Sequence, residues 1–250
     1  VSKSTGGSED ASAPGPGSPS AAPGTPASPS ADPGSARSTP ASARGTLNAE
    51  HIAQATLALG DRDGAAAMSM RRIAADLGCD PMALYRHFPN RTALLDAVAD
   101  LVLAEVDLPD PAARWDRRVA VLLTRMRAAA VRHPGITAHI ASRPPLGANG
   151  LRAGAVLIGA FTDAGLTPRD VVRATQLMVA YLSNALAMAA ATGGAPDARW
   201  QQVADALATP IPTGTDLPTA DLPPTGSLEQ FTYGLEVLLT GLDPSTIREG

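Results

Sequence analysis

The sequence predicts an all-α protein, and three observations carry that prediction. From residue 47 onward, apolar residues recur at spacings of three and four, and cap residues and glycines punctuate them at helix-length intervals. No run of useful length alternates apolar and polar residues as a half-buried strand does. Residues 69–91 have the grammar of two short capped helices joined by a glycine turn.

The first 46 residues stand apart. They hold 11 Ser, 9 Ala, 8 Pro, 7 Gly and 4 Thr, with Val1 the one large apolar side chain. That composition buries too little surface to offset its ordering entropy, so the segment is expected to be disordered. The remainder of the 250 residues is long enough for a sizeable core, and with aromatics at 3% that core is expected to be aliphatic.

The helices follow in order. Asn48 caps the first, Glu50 suits its positive end, and Gly60 is expected to end it after Leu59. Asp61 to Gly64 reads as a turn. Ser69 caps a second helix, Met70–Leu77, with Ile73, Ala74 and Leu77 inward, and Gly78 breaks it. Asp80 caps a third, with Pro81 at its first position, expected to run to Phe88. Asn90 caps a fourth, from Arg91 to about Val106. Longer helices are expected over 112–132, 148–164, 171–191 and 227–242, with a short one over 136–142 and another over 197–208. His133-Pro134-Gly135 reads as a break, and the Pro-rich stretch 209–226 as a loop. Thr167-Pro168-Arg169-Asp170 and Ser227-Leu228-Glu229-Gln230 read as capping boxes.

Composition excludes several classes. A single cysteine, Cys79, rules out a disulfide framework and multi-Cys metal sites; behind the Gly turn it reads as a small buried thiol. No run approaches the roughly 18 apolar residues of a membrane span, and no apolar stretch opens the chain as in a secretory signal, so a cytoplasmic protein with no membrane partner is expected. Four scattered histidines without a nucleophile–base or carboxylate pair argue against an enzyme. Charge is uneven: residues 37–91 carry seven Arg against five acids, within a chain of formal net charge −4. A small DNA-reading module attached to a larger acidic body fits that balance better than a basic nucleic-acid coat.

Residues 69–91 read SMRRIAADLGCDPMALYRHFPNR. In a helix-turn-helix the second helix enters the major groove. Leu84 and Phe88 share one side of it and can pack inward, leaving Met82, Ala83, Tyr85 and Arg86 on the others. Arg86 can bond guanine or phosphate, Tyr85 a phosphate, and Met82 and Ala83 can touch a thymine methyl. Arg91, at the start of the fourth helix, can hold a phosphate with the free N–H groups there. His87 reads equally as a phosphate contact or as a locally packed side chain. Arg44, with Arg37, reads either as solvated charge or as a minor-groove arm.

The segment resembles the DNA-binding domain of the TetR family of bacterial transcriptional repressors. The likeness rests on Ser69-Met70-Arg71-Arg72-Ile73-Ala74, Leu77-Gly78, Leu84-Tyr85-x-His87-Phe88, and Arg91 ahead of Ala93-Leu94-Leu95. It implies DNA contacts at Arg71, Met82, Ala83, Tyr85, Arg86, His87 and Arg91. Pro81 and Met82 depart from the polar residues some members carry there, which shifts base reading toward apolar contacts and Arg86. Further on, His139-Ile140-Ala141-Ser142-Arg143-Pro144 and the ending Phe231–Leu242 are similar to the tetracycline-repressor branch, where a His at the place of His139 helps hold a magnesium–drug complex. One His with no second ligand nearby is a weak metal signal, so no metal and no cofactor are expected here.

The resulting expectation has three parts. A tail spans 1–46, a three-helix helix-turn-helix DNA-binding domain spans 47–92, and a helical ligand-binding and dimerisation domain spans 93–250. The last is expected to hold an apolar pocket between helices 112–132, 148–164 and 171–191, entered near 143–147. Its candidate polar lining is His139, Ser142, Arg143 and Asn184, with Tyr181 beside Asn184 as a polar anchor in a pocket or a seam. Helices 171–191 and 227–242 are expected to pair with their symmetry mates through Leu235 and Leu238, making a homodimer. Its partners would be a double-stranded palindromic operator and a small, largely apolar effector that releases it. The alternative is an activator, or a DNA binder of the same fold without a ligand.

Overall fold

The computed structural model describes residues 47–143, 145–192, 199, 202–203, 205–206 and 223–244. The tail with Arg44, most of 197–208 and residues 209–222 of the expected loop lie outside the described residues. Nine α-helices and one 3-10 turn make up the described chain, and no strand occurs among the described residues. They are α1 (Ala49–Asp63), α2 (Met70–Asp76), α3 (Pro81–Tyr85), α4 (Arg91–Ala104), α5 (Trp115–Arg132), α6 (Pro134–Ser142), α7 (Ala148–Asp163), α8 (Pro168–Thr192) and α9 (Leu228–Gly241). The 3-10 turn is Ala65–Ala67.

The expected caps form as local hydrogen bonds from backbone to side chain. The His51 N–H donates to Asn48 Oδ1 at 2.8 Å, Met82 to Asp80 at 2.7 Å, Ala93 to Asn90 at 2.9 Å, and Gln230 to the Ser227 hydroxyl at 3.1 Å. Each satisfies one of the donors a helix start leaves without an intrahelical partner.

Three boundaries differ most from expectation. α3 ends at Tyr85 rather than Phe88, with Arg86, His87 and Phe88 following it outside the helix. α1 does not stop at Gly60; it continues to Asp63 and turns at Gly64, whose φ is 80°. Gly60 is instead a buried contact position inside the helix. A Cβ there would meet the Met68 side chain, and a Cβ on Gly135 would collide with the Gly60 backbone. α1 and α6 thus approach each other backbone to backbone, which two facing glycines permit. α6 in turn begins at Pro134 rather than after it: Pro sits at its first position, where the missing N–H costs nothing. The Thr137 hydroxyl donates to the carbonyls of Ala130 and His133, closing the joint between α5 and α6.

The core is largely aliphatic, with Ile52, Leu59, Leu84, Leu122, Ile136 and Leu186 fully buried. Phe161 is buried with them and lies 6.1 Å from Trp115. α6 packs on α8, α1 and α4; α7 packs on α5 and α8. α8 is long and apolar enough to cross a membrane by length and composition. Here its buried side, Val171, Ala174, Met178 and Leu182, faces protein instead.

On α9 the inward residues are Phe231, Leu235 and Leu239. Leu235 is only 2% exposed, so it serves the single chain's own core and not a surface seam. The large apolar side chains α9 shows outward are Leu228 in its first turn and, further along, Tyr233 and Val237 at 71% and 54% exposure.

Candidate nucleic-acid interface

The interface is built from α2, the turn after it, and α3. Gly78, with φ 64°, reverses the chain, and the Asp80 cap with Pro81 behind it restarts a helix of one and a half turns. Burial then sorts α3 and the three residues that follow it into two sides. Leu84 and Phe88 are buried, while Met82 (65% exposed), Tyr85, Arg86 and His87 are open to solvent and Ala83 is half-buried. Exposing a methionine and a tyrosine on so short a helix leaves apolar surface in water, and a groove carrying thymine methyls and phosphates would cover both kinds of atom.

Electrostatics sharpen the picture. The acids beside the motif are already occupied: Arg62 bonds Asp63 at 3.2 Å and Asp76 at 2.8 Å, and Arg72 bonds Asp63 at 3.1 Å. The hydrogen bond from Arg62 holds the Asp63 carboxyl below its usual pKa. Arg71 and Arg86 have no ion pair among the described residues and are exposed, so their charge is free for an external anion. Arg91 is exposed but tethered: its Nε donates to the Met68 carbonyl at 2.6 Å. That bond uses one edge of the guanidinium and leaves the other nitrogens at the start of α4. No local signal announced the Met68 partner.

The five residues expected around a pocket separate into three places. His139 and Arg143 meet on α4: His139 Nε2 lies 2.8 Å from Asp96 Oδ1, and Arg143 donates to both Asp96 oxygens at 3.1 and 3.2 Å. The Ser142 hydroxyl donates to the His139 carbonyl at 2.9 Å. Tyr181 lies between α8 and α9, donating to the Phe231 carbonyl at 2.8 Å and stacking on its ring at 5.4 Å. Asn184 is exposed on α8, beside the Met188 sulfur.

A second joint connects α6 to the DNA-binding helices. His133 lies between two carboxylates, with Nδ1 2.7 Å from Asp61 on α1 and Nε2 2.9 Å from Glu105 after α4; Arg132 also bonds Glu105, at 2.6 Å. With the Gly60–Gly135 crossing, α6 is tied to α1 at one end and to α4 at both. None of these ties spans fewer than a score of residues in sequence, and reading residue by residue missed Asp61, Asp96 and Glu105.

Asp96 supports a measurable consequence. Burial works to raise its pKa, but the hydrogen bonds from His139 and Arg143 outweigh it and hold the carboxyl below its usual range. A carboxyl with a depressed folded pKa stabilises the protein above its unfolded value and loses that stabilisation as pH falls through the folded value. Asp96 is 45% exposed, so solvent screening limits the contribution to about 1 kcal/mol or less. Asp96→Asn is therefore expected to lower the urea midpoint modestly at about pH 7, and the gap from wild type should close toward about pH 3.

A cavity of about 450 Å³ opens on the other side of α6. Its walls are Arg127 and Val131 of α5, Pro134 and Thr137 of α6, the end of α8, and the turn Pro224–Ser227 that leads into α9. None of the five expected pocket residues lines it.

Comparison with known proteins agrees with this architecture. Residues 52–98 match the model for bacterial regulatory proteins of the tetR family, and residues 108–245 match the tetracyclin repressor-like C-terminal domain. The HTH-type transcriptional repressor DrrR1 of Streptomyces coeruleorubidus is 30% identical over 144 residues, covering 56% of this chain and 53% of that protein. The class D tetracycline repressor protein of Escherichia coli is 32% identical over 102 residues, covering 39% and 47%. The chain thus spans about half the length of the curated relatives it matches. Apo ActR from Streptomyces coelicolor superposes with a TM-score of 0.68 at 27% identity, over 79% of this chain and 97% of ActR. ActR in complex with actinorhodin gives 0.67 at the same identity and the same coverage. The chain belongs to the TetR family of transcriptional regulators, a non-enzymatic family, and joins its helix-turn-helix domain to a tetracycline-repressor-like C-terminal domain.

Proposed function

We propose that this chain is a cytoplasmic repressor that binds a palindromic operator as a homodimer and is released by a small, largely apolar effector. The observation that carries this reading is the position of α6. It touches α1 and α4 through Gly135, His133 and the Asp96 cluster, and it also forms one wall of the cavity. A ligand that binds one placement of α6 better than another therefore acts on both helices that carry the DNA-reading unit. Without such differential affinity no ligand shifts the equilibrium. In this reading residues 47–92 read DNA and residues 93–250 bind ligand and dimerise. His139, Ser142 and Arg143 pass the position of α6 to α4, and Tyr181 braces α8 against α9. ActR, crystallised with actinorhodin, is a precedent for a ligand in this fold.

One module contacts one half-site, so two are needed, with centres about 34–36 Å apart or a multiple of that. The outward apolar side chains of α9, Tyr233 and Val237, and the exposed Ala180, Asn184 and Ala187 of α8 supply a surface for pairing. Small residues there allow close helix approach.

On the DNA side, Arg86 is the base-reading candidate, with Met82 and Ala83 at thymine methyls. Arg71, Tyr85, His87 and Arg91 are the phosphate candidates. Arg86→Ala is expected to cost about 1–3 kcal/mol on the specific operator and much less on random DNA. Arg91→Ala should weaken both and flatten the salt dependence. Equal losses on both DNAs for Arg86→Ala would reassign it to the backbone. Mobility-shift titration of the upstream DNA, with and without actinorhodin as a first probe, tests the regulatory reading. It predicts a shifted complex that a binding ligand dissolves, and binding to random DNA with equal affinity would contradict it.

A further inference from the structure

Arg127 has no counter-charge among the described residues. Its residue is 8% exposed, its Nη2 donates to the Gly226 carbonyl, and its Nε is buried with no hydrogen-bond partner among the described residues. No carboxylate pairs with it among the described residues. Another neighbour is the Phe231 ring, whose centroid lies 5.6 Å from the guanidinium carbon, and Tyr181 stacks on the same ring. Burial pushes the Arg127 pKa down and Tyr181 pushes it back up. An arginine nevertheless stays charged at physiological pH. A buried cation held by one carbonyl and one aromatic face is costly, and an incoming anion would recover that cost.

The cation sits in the wall of the 450 Å³ cavity, whose other walls are mostly apolar: Val131, Pro134, Ala189, Ala190 and Pro224. Ser227, which caps the fourteen-residue α9, lies on the same cavity, so the positive end of that helix faces it too. The volume is within the usual range for a drug-sized ligand.

We infer that this cavity is a binding site for an organic acid, a ligand whose oxyanion pairs with Arg127 and whose apolar body lies against α5, α6 and α8. The assignment deepens the effector reading and rests on it for its regulatory meaning, since Pro134 and Thr137 of the cavity belong to the helix that grips α1 and α4. It adds a requirement that reading lacks: a neutral molecule of the same shape should bind poorly.

Two dyes with the same apolar body separate charge from shape. 1-Anilinonaphthalene-8-sulfonate carries an oxyanion, and N-phenyl-1-naphthylamine does not. In fluorescence titrations of the full chain, the sulfonate is expected to saturate one site per chain at least about tenfold more tightly than the neutral amine. Arg127→Met should remove that preference while leaving the amine's affinity unchanged. Ala190→Phe, which narrows the cavity without touching the guanidinium, should weaken both dyes. Equal affinities in wild type, or a preference for the sulfonate that survives Arg127→Met, would overturn the site. If Arg127→Met fails to fold, a sulfonate affinity that Ala190→Phe leaves unchanged overturns it instead. Operator binding by the ligand-free chain is measured on the same samples. Acid preference without operator binding sinks the regulatory reading alone, and operator binding without acid preference sinks the site alone.

Discussion

Tyr233→Asp combined with Val237→Asp is expected to yield a folded monomer that binds its operator about 10²–10⁴-fold more weakly than wild type. The two side chains are the most exposed of the three large apolar residues that α9 shows to water, Leu228 at its first turn being the third, and neither contributes to the buried row Phe231, Leu235 and Leu239. Two carboxylates placed there leave the chain's own core intact but are desolvated in any pairing of α9 with a second copy. A dimer converts the second half-site contact into an intramolecular event, and losing that advantage removes the gain in affinity without touching α3. Sedimentation gives the mass, circular dichroism the fold, and mobility shift the affinity. A double variant that stays dimeric would move the seam elsewhere. Substituting Leu235 instead would be uninformative, because a charge there unfolds the single chain.

Gly135→Ala is the second large effect. The added methyl meets the Gly60 backbone, not the movable end of a side chain. Relief requires α6 to move away from α1, at a cost of about 1–3 kcal/mol, partly offset by the better helix propensity of alanine. Because α1 belongs to the DNA-binding unit, the displacement should also change operator affinity, by the same route the proposed effector uses. Gly154→Ala on α7 is the control: a Cβ there meets nothing within 4 Å, so it should be neutral or raise stability by about 0.5–1 kcal/mol. Urea unfolding of the two variants compares them directly. A neutral Gly135→Ala would show that the α1–α6 crossing is loose.

The features legible in the sequence are those whose causes are local. Asn48, Asp80, Asn90 and Ser227 cap through bonds that reach two or three residues ahead, so a short window contains both partners. The inward turn of Leu84 and Phe88 follows from helical spacing in the same way. Gly60 reads as a helix end in the sequence because Gly135, the residue it accommodates, becomes its neighbour only after α6 folds across α1. His139 and Arg143 read in the sequence as polar pocket lining, yet the partner they share, Asp96, lies on α4, 43 and 47 residues away. Arg127 escaped notice for the opposite reason. An arginine in an amphipathic helix is ordinary until tertiary packing buries it without a carboxylate. The helix-turn-helix is therefore legible residue by residue, and the ties from α6 to α1 and α4 are not.

In the proposed function a symmetric pair of these chains reads an inverted repeat through α3 and lets go when a ligand occupies the second domain. Footprinting the full chain on the DNA flanking its own coding sequence, with sedimentation of the complex, tests it most directly. Two protected half-sites spaced by about one helical turn or a multiple of it are expected, with two chains per site and loss of protection for Arg86→Ala at concentrations where wild type is saturated. Protection that follows no inverted repeat, or one chain bound per site at full affinity, would contradict it.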